Sequence, residues 1–292
     1  MKNTPPVHLA IIGHPVQHSL SPLMHTTAAR VVGFADDEFS YEKFDVLPLD
    51  LPSFIRRFRD GPLVGLNVTI PHKMAVMDFL DAIDPTAKAI GAVNTIVKNG
   101  ATLTGYNTDA YGLIKSVKDI GGVADLAGKK IFIYGAGGSA RAAVSGFISE
   151  NAASLIIANR TPARAVEILS RLAPFSTAAK AIGYDDRKTL VESIATADII
   201  VNTTSVGMTG GGDPSGLPPE VGALRAGQVV MDIVYNPLTT AFLSSARANG
   251  AITVDGLWML VYQGAKAFEI WTGRQFPVEK ARSVLLAKLG EG

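Results

Sequence analysis

The run Lys129–Ala143, KKIFIYGAGGSARAA, limits what this chain can fold into more than any other segment. An apolar strand leads straight into Gly135, Ala136, Gly137, Gly138, Ser139 and Ala140, and helix formers follow. A strand that turns on glycine into a helix is the G-x-G-x-x-G/A arrangement of dinucleotide-binding α/β domains. Gly135 permits the tight turn, Gly137 lets the backbone approach a pyrophosphate, and the small Ala140 lets helix and sheet pack closely. The N–H groups of the helix start then face the anion. A purely structural turn is the competing reading, and the flanking strand and helix weigh against it.

The surrounding pattern agrees. Strand-like runs Lys130–Tyr134, Ser154–Ala158, Ala179–Tyr184, Ile199–Asn202, Gln228–Val234 and Ala251–Val254 alternate with helical segments Ala140–Glu150, Ala163–Leu172, Leu190–Thr196 and Thr240–Asn249. Six strands with intervening helices predict a doubly wound, Rossmann-like α/β domain. This series starts well inside the 292-residue chain, so the residues before it form something else. There Val7–Gly13, Phe39–Val46, Leu63–Ile70 and Val93–Lys98 read as strands, and Pro22–Val32, Leu51–Arg59 and Met74–Leu80 have helical spacing. Strands separated by helices imply a mostly parallel sheet, and Asn99-Gly100 predicts a hairpin into Thr102–Tyr106. Leu257–Trp271 and Val278–Leu289 read as helices with no strand after them, which are expected to return to the first domain. The expected division is residues 1–108 with 258–292 as one α/β domain and residues 109–257 as the Rossmann-like one.

The end of the second strand of the Rossmann-like series separates the two nicotinamide cofactors. The acidic residue that would grip an NAD ribose is absent from SLIIANRTPARA, where Asn159, Arg160 and Thr161 stand instead. Thr161-Pro162 reads as a helix cap followed by proline at the first helical position. Arg160 and Arg164 then lie at the positive end of a helix dipole, where a cation costs ~0.3–1 kcal/mol. A ribose 2′-phosphate compensates them, and planar guanidinium groups match its oxygens. Two solvated surface arginines are the bland alternative. NADP is therefore expected rather than NAD.

Composition narrows the class further. Hydrophobic residues make up 47% and charged residues 18%, ample for a buried core, and a net charge of +1 argues against nucleic acid or an anionic membrane as partner. The absence of cysteine excludes disulfides, thiolate metal sites and cysteine nucleophiles. His8, His14, His18, His25 and His72 all precede the glycine loop, and Pro15 between His14 and His18 breaks the helix that a metal pair would need, so no metal is expected. The apolar run near the N-terminus is too short for a membrane span or a signal peptide, and the chain reads as soluble and cytoplasmic.

Polar clusters interrupt the first domain where a simple core would want none. HSLSP carries Ser19 and Ser21, GLNVTIPHK carries Asn67, Thr69 and Lys73, GAVNT carries Asn94, and GYNTD carries Asn107 and Asp109. Singly, each is ordinary: serines cap helices, Asn and Asp make turns, and a lone lysine is usually solvated. In chain order, these words together with GAGGSARA, NRT, NTTSVGM, DIVYNP and DGLWMLVYQ resemble the shikimate dehydrogenase family from about Gly13 to Trp271. The NVTxPxK and GxNTD pair is specific to that family, whereas the glycine loop is not.

The resemblance implies reversible NADPH-dependent reduction of 3-dehydroshikimate to shikimate in aromatic amino-acid biosynthesis. Under it, Ser19 and Ser21 hold the substrate carboxylate, and Thr69, Asn94, Asp109 and Gln263 hold the ring hydroxyls. Lys73 and Asp109 form the catalytic pair, with the division of proton work between them left open. Tyr235 on the substrate and Gly256 on the cofactor lie where shikimate meets the nicotinamide. Asn159, Arg160, Thr161 and Arg164 take the 2′-phosphate, and Thr203 joins the glycine loop at the cofactor. Relatives often carry glycine where Trp258 stands and alanine where Tyr262 stands, and outward or core packing is the preferred reading of both. His72 receives no catalytic role. The rivals are an NAD-using quinate/shikimate dehydrogenase, disfavoured by Ser19, Ser21 and Arg160, and a non-catalytic NADP-binding sensor, which need not keep the polar set together. The partner is a small molecule, with a homodimer left open.

Overall fold

The computed structural model describes residues 6–172, 178–209 and 218–290. The chain divides into two compact units, Met1–Thr108 with Val261–Gly292, and Asp109–Leu260.

The first unit opens with β1 (Val7–Gly13), α1 (Ser21–Val31), β2 (Phe39–Asp45), α2 (Leu51–Asp60), β3 (Gly65–Val68), β4 (Ala82–Ile83), α3 (Pro85–Ile90), β5 (Thr95–Asn99) and β6 (Thr102–Tyr106). Its sheet runs β2-β1-β3-β5-β6-β4. The β2-β1-β3 half is parallel, with Leu9 opposite Tyr41 on one side and Gly65 on the other. β5 is antiparallel to both β3 and β6. Three of the five pairings are parallel, in line with the mostly parallel sheet expected, and the two antiparallel ones are those of β5. The expected hairpin joins β5 to β6: Gly100 adopts φ +60° between them, and so tight a turn joins only antiparallel strands. The helix expected over Met74–Leu80 is a short 3₁₀ segment, Ala75–Phe79, too brief to propagate an α-helix. In α2, Leu51, Phe54, Ile55 and Phe58 fall on one buried face, which meets Ala10 and Ile12 of β1 and Val68, Ile96 and Leu103 of neighbouring strands.

The second unit contains α4 (Asp109–Asp119), β7 (Lys130–Tyr134), α5 (Gly138–Ser149), β8 (Ser154–Asn159), α6 (Pro162–Leu172), β9 (Ala178–Gly183), α7 (Arg187–Thr196), β10 (Ile199–Asn202), β11 (Val229–Asp232), α8 (Ala241–Ala248) and β12 (Ile252–Val254). The strand order is β12-β11-β10-β7-β8-β9, and every pairing is parallel. Such a sheet has to be covered on both faces, and the period-2 alternation of β7 shows how. Ile131 and Ile133 pack with Val144 and Phe147 of α5, while Phe132 and Tyr134 pack with Leu190 and Ile194 of α7 and Phe242 of α8.

Two helices complete the chain, α9 (Gly256–Thr272) and α10 (Val278–Leu289). Within the first unit, α10 lies against α1, and Trp271 of α9 donates its indole N–H to the Ile96 carbonyl at 2.9 Å. His25 of α1 stacks on Tyr41 of β2 with ring centroids 4.6 Å apart, and Phe268, Trp271 and Phe276 surround it. Burial holds the His25 imidazole down at about 3, opposed by the nearby Asn67 amide, although neither ring nitrogen has a hydrogen-bond partner. It therefore remains a neutral core aromatic.

Candidate active site

The first unit gathers most of the polar residues that the sequence singles out. Ser21 is the first residue of α1 and its N–H donates to Ser19 Oγ at 3.3 Å. Lys43 of β2 ties down the preceding loop by donating to the carbonyls of Gln17 at 2.7 Å and Ser19 at 3.3 Å. Thr69 follows β3, and its N–H donates to the Ile12 carbonyl at 2.9 Å. Gly13 makes that approach available, because a Cβ there would lie 2.3 Å from Thr69 Cγ2. Lys73 is half-buried, and its carbonyl accepts from the Val93 N–H at 2.8 Å, which fixes the lysine backbone beside Asn94. His72 is buried with Nε2 2.7 Å from the Val46 carbonyl oxygen.

Asn94 and Gln263, far apart in sequence, meet: Asn94 Nδ2 lies 3.4 Å from Gln263 Oε1 and 3.0 Å from Thr108 Oγ1. The Thr108 N–H donates to Asn94 Oδ1 at 2.8 Å, so the carbonyl end of this amide is held by the backbone and its N–H₂ end is directed toward Gln263. Behind Asn94 lies a second buried amide, Asn67, whose Nδ2 donates to the Asn94 carbonyl at 3.1 Å and whose Oδ1 accepts from Tyr41 at 2.6 Å. Tyr41, Thr95 and Thr108 escaped the sequence reading. Thr95 and Thr108 stood in the quoted motifs GAVNT and GYNTD without a role, and a tyrosine or threonine in a strand ordinarily signals β-propensity rather than a polar network. Tyr262, next to Gln263 on α9, is buried, whereas Trp258 is half-buried.

Asp109 follows Thr108 directly and opens α4 in the second unit, where it is 6% exposed. A carboxylate in the first turn suits the positive end of the helix dipole.

The glycine loop combines one crowded turn with two open positions. Gly135 takes φ +97°, and a Cβ on it would lie 2.8 Å from Thr204 Cγ2 and 2.9 Å from Thr203 Oγ1. Thr203 itself is fixed, donating to the Tyr134 carbonyl at 2.6 Å. Gly137 and Gly138 differ from Gly135, since a Cβ on either would meet nothing within 4 Å. The backbone at the start of α5 is therefore open, with Ala136 and Ser139 half-buried beside it and Ala140 fully buried in the core. A dinucleotide phosphate fits this arrangement of unobstructed N–H groups at a helix start.

At the end of the adjacent β8, Asn159 Nδ2 donates to the Thr161 carbonyl at 2.8 Å. Arg160 and Arg164 are exposed at the start of α6, which has no acidic residue in its first turn. The nearest acid on α6, Glu167, is engaged instead by Arg141 of α5, with Nη2 2.6 Å from Oε1. That guanidinium, with the weaker fields of Arg171 and Arg164, holds the Glu167 carboxyl below its usual range. The buried Arg141 links the two helices that follow the glycine turn and the NRT segment; the sequence reading quoted it without giving it a role.

Asp232, at the end of β11, is fully buried and accepts from Asn202 Nδ2 at 2.9 Å, the Val234 N–H at 3.0 Å and Thr240 Oγ1 at 2.7 Å. Burial raises its carboxyl to about 6 despite these three donors. The network fixes the segment leading to Tyr235, a half-buried phenol that burial pushes upward. Gly256 opens α9 where a Cβ would lie 2.3 Å from the Ile233 carbonyl oxygen, so close packing alone demands glycine there.

Among the described residues no group of three or more His, Asp or Glu side chains could hold a metal ion, and no helix is long and apolar enough to cross a membrane.

Comparison with known proteins agrees with this geometry. Residues 11–96 match the shikimate dehydrogenase substrate binding domain, residues 116–208 the shikimate/quinate 5-dehydrogenase model and residues 256–286 the shikimate 5′-dehydrogenase C-terminal domain. The chain is 44% identical to the shikimate dehydrogenase (NADP(+)) of Moorella thermoacetica over 97% of its own length and 93% of that protein's. Its structure is similar to that of the Listeria monocytogenes shikimate 5-dehydrogenase in complex with shikimate and NAD, with a TM-score of 0.88, 34% identity and coverage of 96% of both chains. It is also similar to the Thermus thermophilus enzyme in complex with NADP(H) and shikimate, with a TM-score of 0.83, 34% identity and coverage of 95% of this chain and 98% of that one. A likeness this extensive shows that the chain belongs to the shikimate dehydrogenase family.

Proposed function

We propose that this chain catalyses the reversible NADPH-dependent reduction of 3-dehydroshikimate to shikimate, a step of aromatic amino-acid biosynthesis. The observation that carries this reading is the near-full-length likeness to relatives named shikimate dehydrogenase (NADP(+)). Fold alone would not suffice, because one fold hosts many chemistries.

In this reading, residues 1–108 with the returning C-terminal helices hold the substrate and residues 109–257 hold the cofactor. Ser19 and Ser21 take the carboxylate, while Thr69, Asn94, Asp109 and Gln263 take the ring hydroxyls. The bound NADPH supplies the hydride. Lys73 then donates the proton that the developing alkoxide needs, and its ammonium stabilises that charge as it forms. Asp109 is its coupled partner in proton transfer. Tyr235 and Gly256 border the place where the two ligands meet. The open backbone at Gly137 and Gly138 receives the pyrophosphate, with Gly135, Ala136, Ser139, Ala140 and Thr203 shaping the loop. Asn159, Arg160, Thr161 and Arg164 receive the 2′-phosphate, whose charge the arginines match. The proposal includes a soluble, cytoplasmic enzyme, with a homodimer as the assembly to be tested by light scattering.

The test follows nicotinamide absorbance for shikimate and quinate, each with NADP and NAD. Fast turnover confined to shikimate with NADP supports the reading, and comparable efficiency with quinate or NAD refutes its specificity. Lys73→Ala is expected to lose roughly 10²–10⁴-fold in kcat with a much smaller change in KM. Near-normal turnover in that variant removes the lysine from the mechanism.

A further inference from the structure

The buried hydrogen bonds of the first unit form a chain with one direction. Tyr41 Oη donates to Asn67 Oδ1 at 2.6 Å, and Asn67 Nδ2 donates to Thr95 Oγ1 at 3.2 Å. Thr95 Oγ1 donates to Asn94 Oδ1 at 3.0 Å, and Asn94 Nδ2 donates to Thr108 Oγ1 at 3.0 Å and Gln263 Oε1 at 3.4 Å. The backbone sets the polarity at two points. The Asn94 carbonyl can only accept and so faces Asn67 Nδ2, while the Thr108 N–H can only donate and so faces Asn94 Oδ1. Every side chain in the series is buried, and Tyr41 stands at its head.

The phenol is held in place at the head of this series. Its ring is clamped by the parallel stack on His25 and the edge contact with Trp271, at 6.4 Å between centroids. The polar part of the side chain is left to start the hydrogen-bond series. Burial pushes the Tyr41 hydroxyl well above its ordinary range, opposed in part by the Ser21 hydroxyl beside it, so it stays a neutral donor. In a low-dielectric interior such bonds polarise one another, and loss of the first leaves Asn67 Oδ1 a buried acceptor without its donor.

We propose that Tyr41 is a positioning residue of the substrate site: through Asn67 and Thr95 it orients the Asn94 amide, and with it Gln263, toward the ring hydroxyls of the substrate. This rests on the reading of Asn94 and Gln263 as hydroxyl-binding residues. Tyr41 touches no substrate in this account. It acts by holding the amides that do.

The test uses the full-length protein and Tyr41→Phe, which keeps the ring and its stack and deletes the hydroxyl. The KM for shikimate is expected to rise about 5- to 30-fold, the worth of one buried hydrogen bond, with the KM for NADP unchanged and kcat within about 3-fold. Thr95→Val cuts the chain between Asn67 and Asn94 and is expected to do the same, so the idea survives a failure of either variant to fold. In an Asn94→Ala background, Tyr41→Phe is expected to add less than about 2-fold, because the two act on one interaction. A normal shikimate KM in Tyr41→Phe, multiplying effects in the double variant, or parallel rises in both KM values overturn the proposal. Asn94→Ala on its own separates the two levels. A raised KM there beside a normal Tyr41→Phe overturns the positioning role alone, whereas a normal KM in Asn94→Ala removes the site reading and the proposal with it.

Discussion

Adding one methyl group at either of two glycines in the same loop separates the cost of building the loop from the cost of filling it. Gly137→Ala puts a Cβ where nothing lies within 4 Å, on a residue whose φ of −99° any amino acid adopts. Alanine is a poorer helix cap than glycine, but it also restricts the unfolded chain, so the two terms oppose each other. The net effect on stability is expected within about 0.5 kcal/mol, or a melting-temperature change under about 2 °C for a chain of this length. The methyl group nevertheless occupies the space that the pyrophosphate would take. Overpacking of one methyl costs roughly 1–3 kcal/mol, so the Kd for NADP is expected to rise about 5- to 150-fold. Gly135→Ala is the opposite case. Its φ of +97° and contacts of 2.8 and 2.9 Å to Thr204 and Thr203 place the strain inside the protein, so roughly 2–4 kcal/mol of stability is expected to go with or without cofactor. Isothermal titration with NADP and thermal melting of the unliganded variants measure the two quantities separately. An unchanged Kd in Gly137→Ala refutes the placement of the pyrophosphate at this loop, and a large melting-temperature loss there refutes the claim that its surroundings are open.

Three further expectations follow from the geometry. Arg160→Ala and Arg164→Ala should each raise the KM for NADP about 10- to 100-fold, the worth of a charge-assisted hydrogen bond, and leave the KM for NAD unchanged; equal effects on both cofactors contradict a 2′-phosphate role. Asp232 has a folded-state value of about 6 against 3.8, so its contribution favours the folded state below pH 3.8 and is lost as pH rises through 6. The shift corresponds to about 3 kcal/mol, and Asp232→Asn should flatten that part of the stability–pH profile measured by chemical denaturation; an unaltered profile rejects the raised value. Replacing Trp271 by Phe removes the indole N–H from the Ile96 carbonyl and should cost roughly 1–3 kcal/mol of stability, read from denaturant midpoints, while an unchanged midpoint shows that the anchor contributes nothing.

The apolar run KIFIY, the glycines behind it and the helix after them sufficed to predict a doubly wound domain, because a parallel strand buried on both faces and a tight turn each leave a local mark. The spacing of Leu51, Phe54, Ile55 and Phe58 marked α2 in the same way. Boundaries and weak elements left no such mark. β4 is two residues long, α3 spans six, and α4 mixes polar and apolar residues between the strands Thr102–Tyr106 and Lys130–Tyr134. The mixed direction of the first sheet depends on which strand accepts the hairpin as its neighbour, a long-range choice that local pattern does not encode.

The sequence by itself determined the kinds of chemistry available: no thiol, a phosphate-ready turn, a basic NRT segment, and serines, amides, a lysine and an aspartate in a family order. Tertiary structure decided which of those groups meet. Asn94 and Gln263 lie 169 positions apart and become neighbours only because α9 returns to the first unit. The donor chain headed by Tyr41 likewise depends on β2, β3, β5 and α9 coming together, with the Asn67 and Asn94 amide directions each fixed by a backbone group from another segment. Hydrogen-bond direction is a property of three-dimensional neighbours, since an amide reads the same in sequence whichever end it presents.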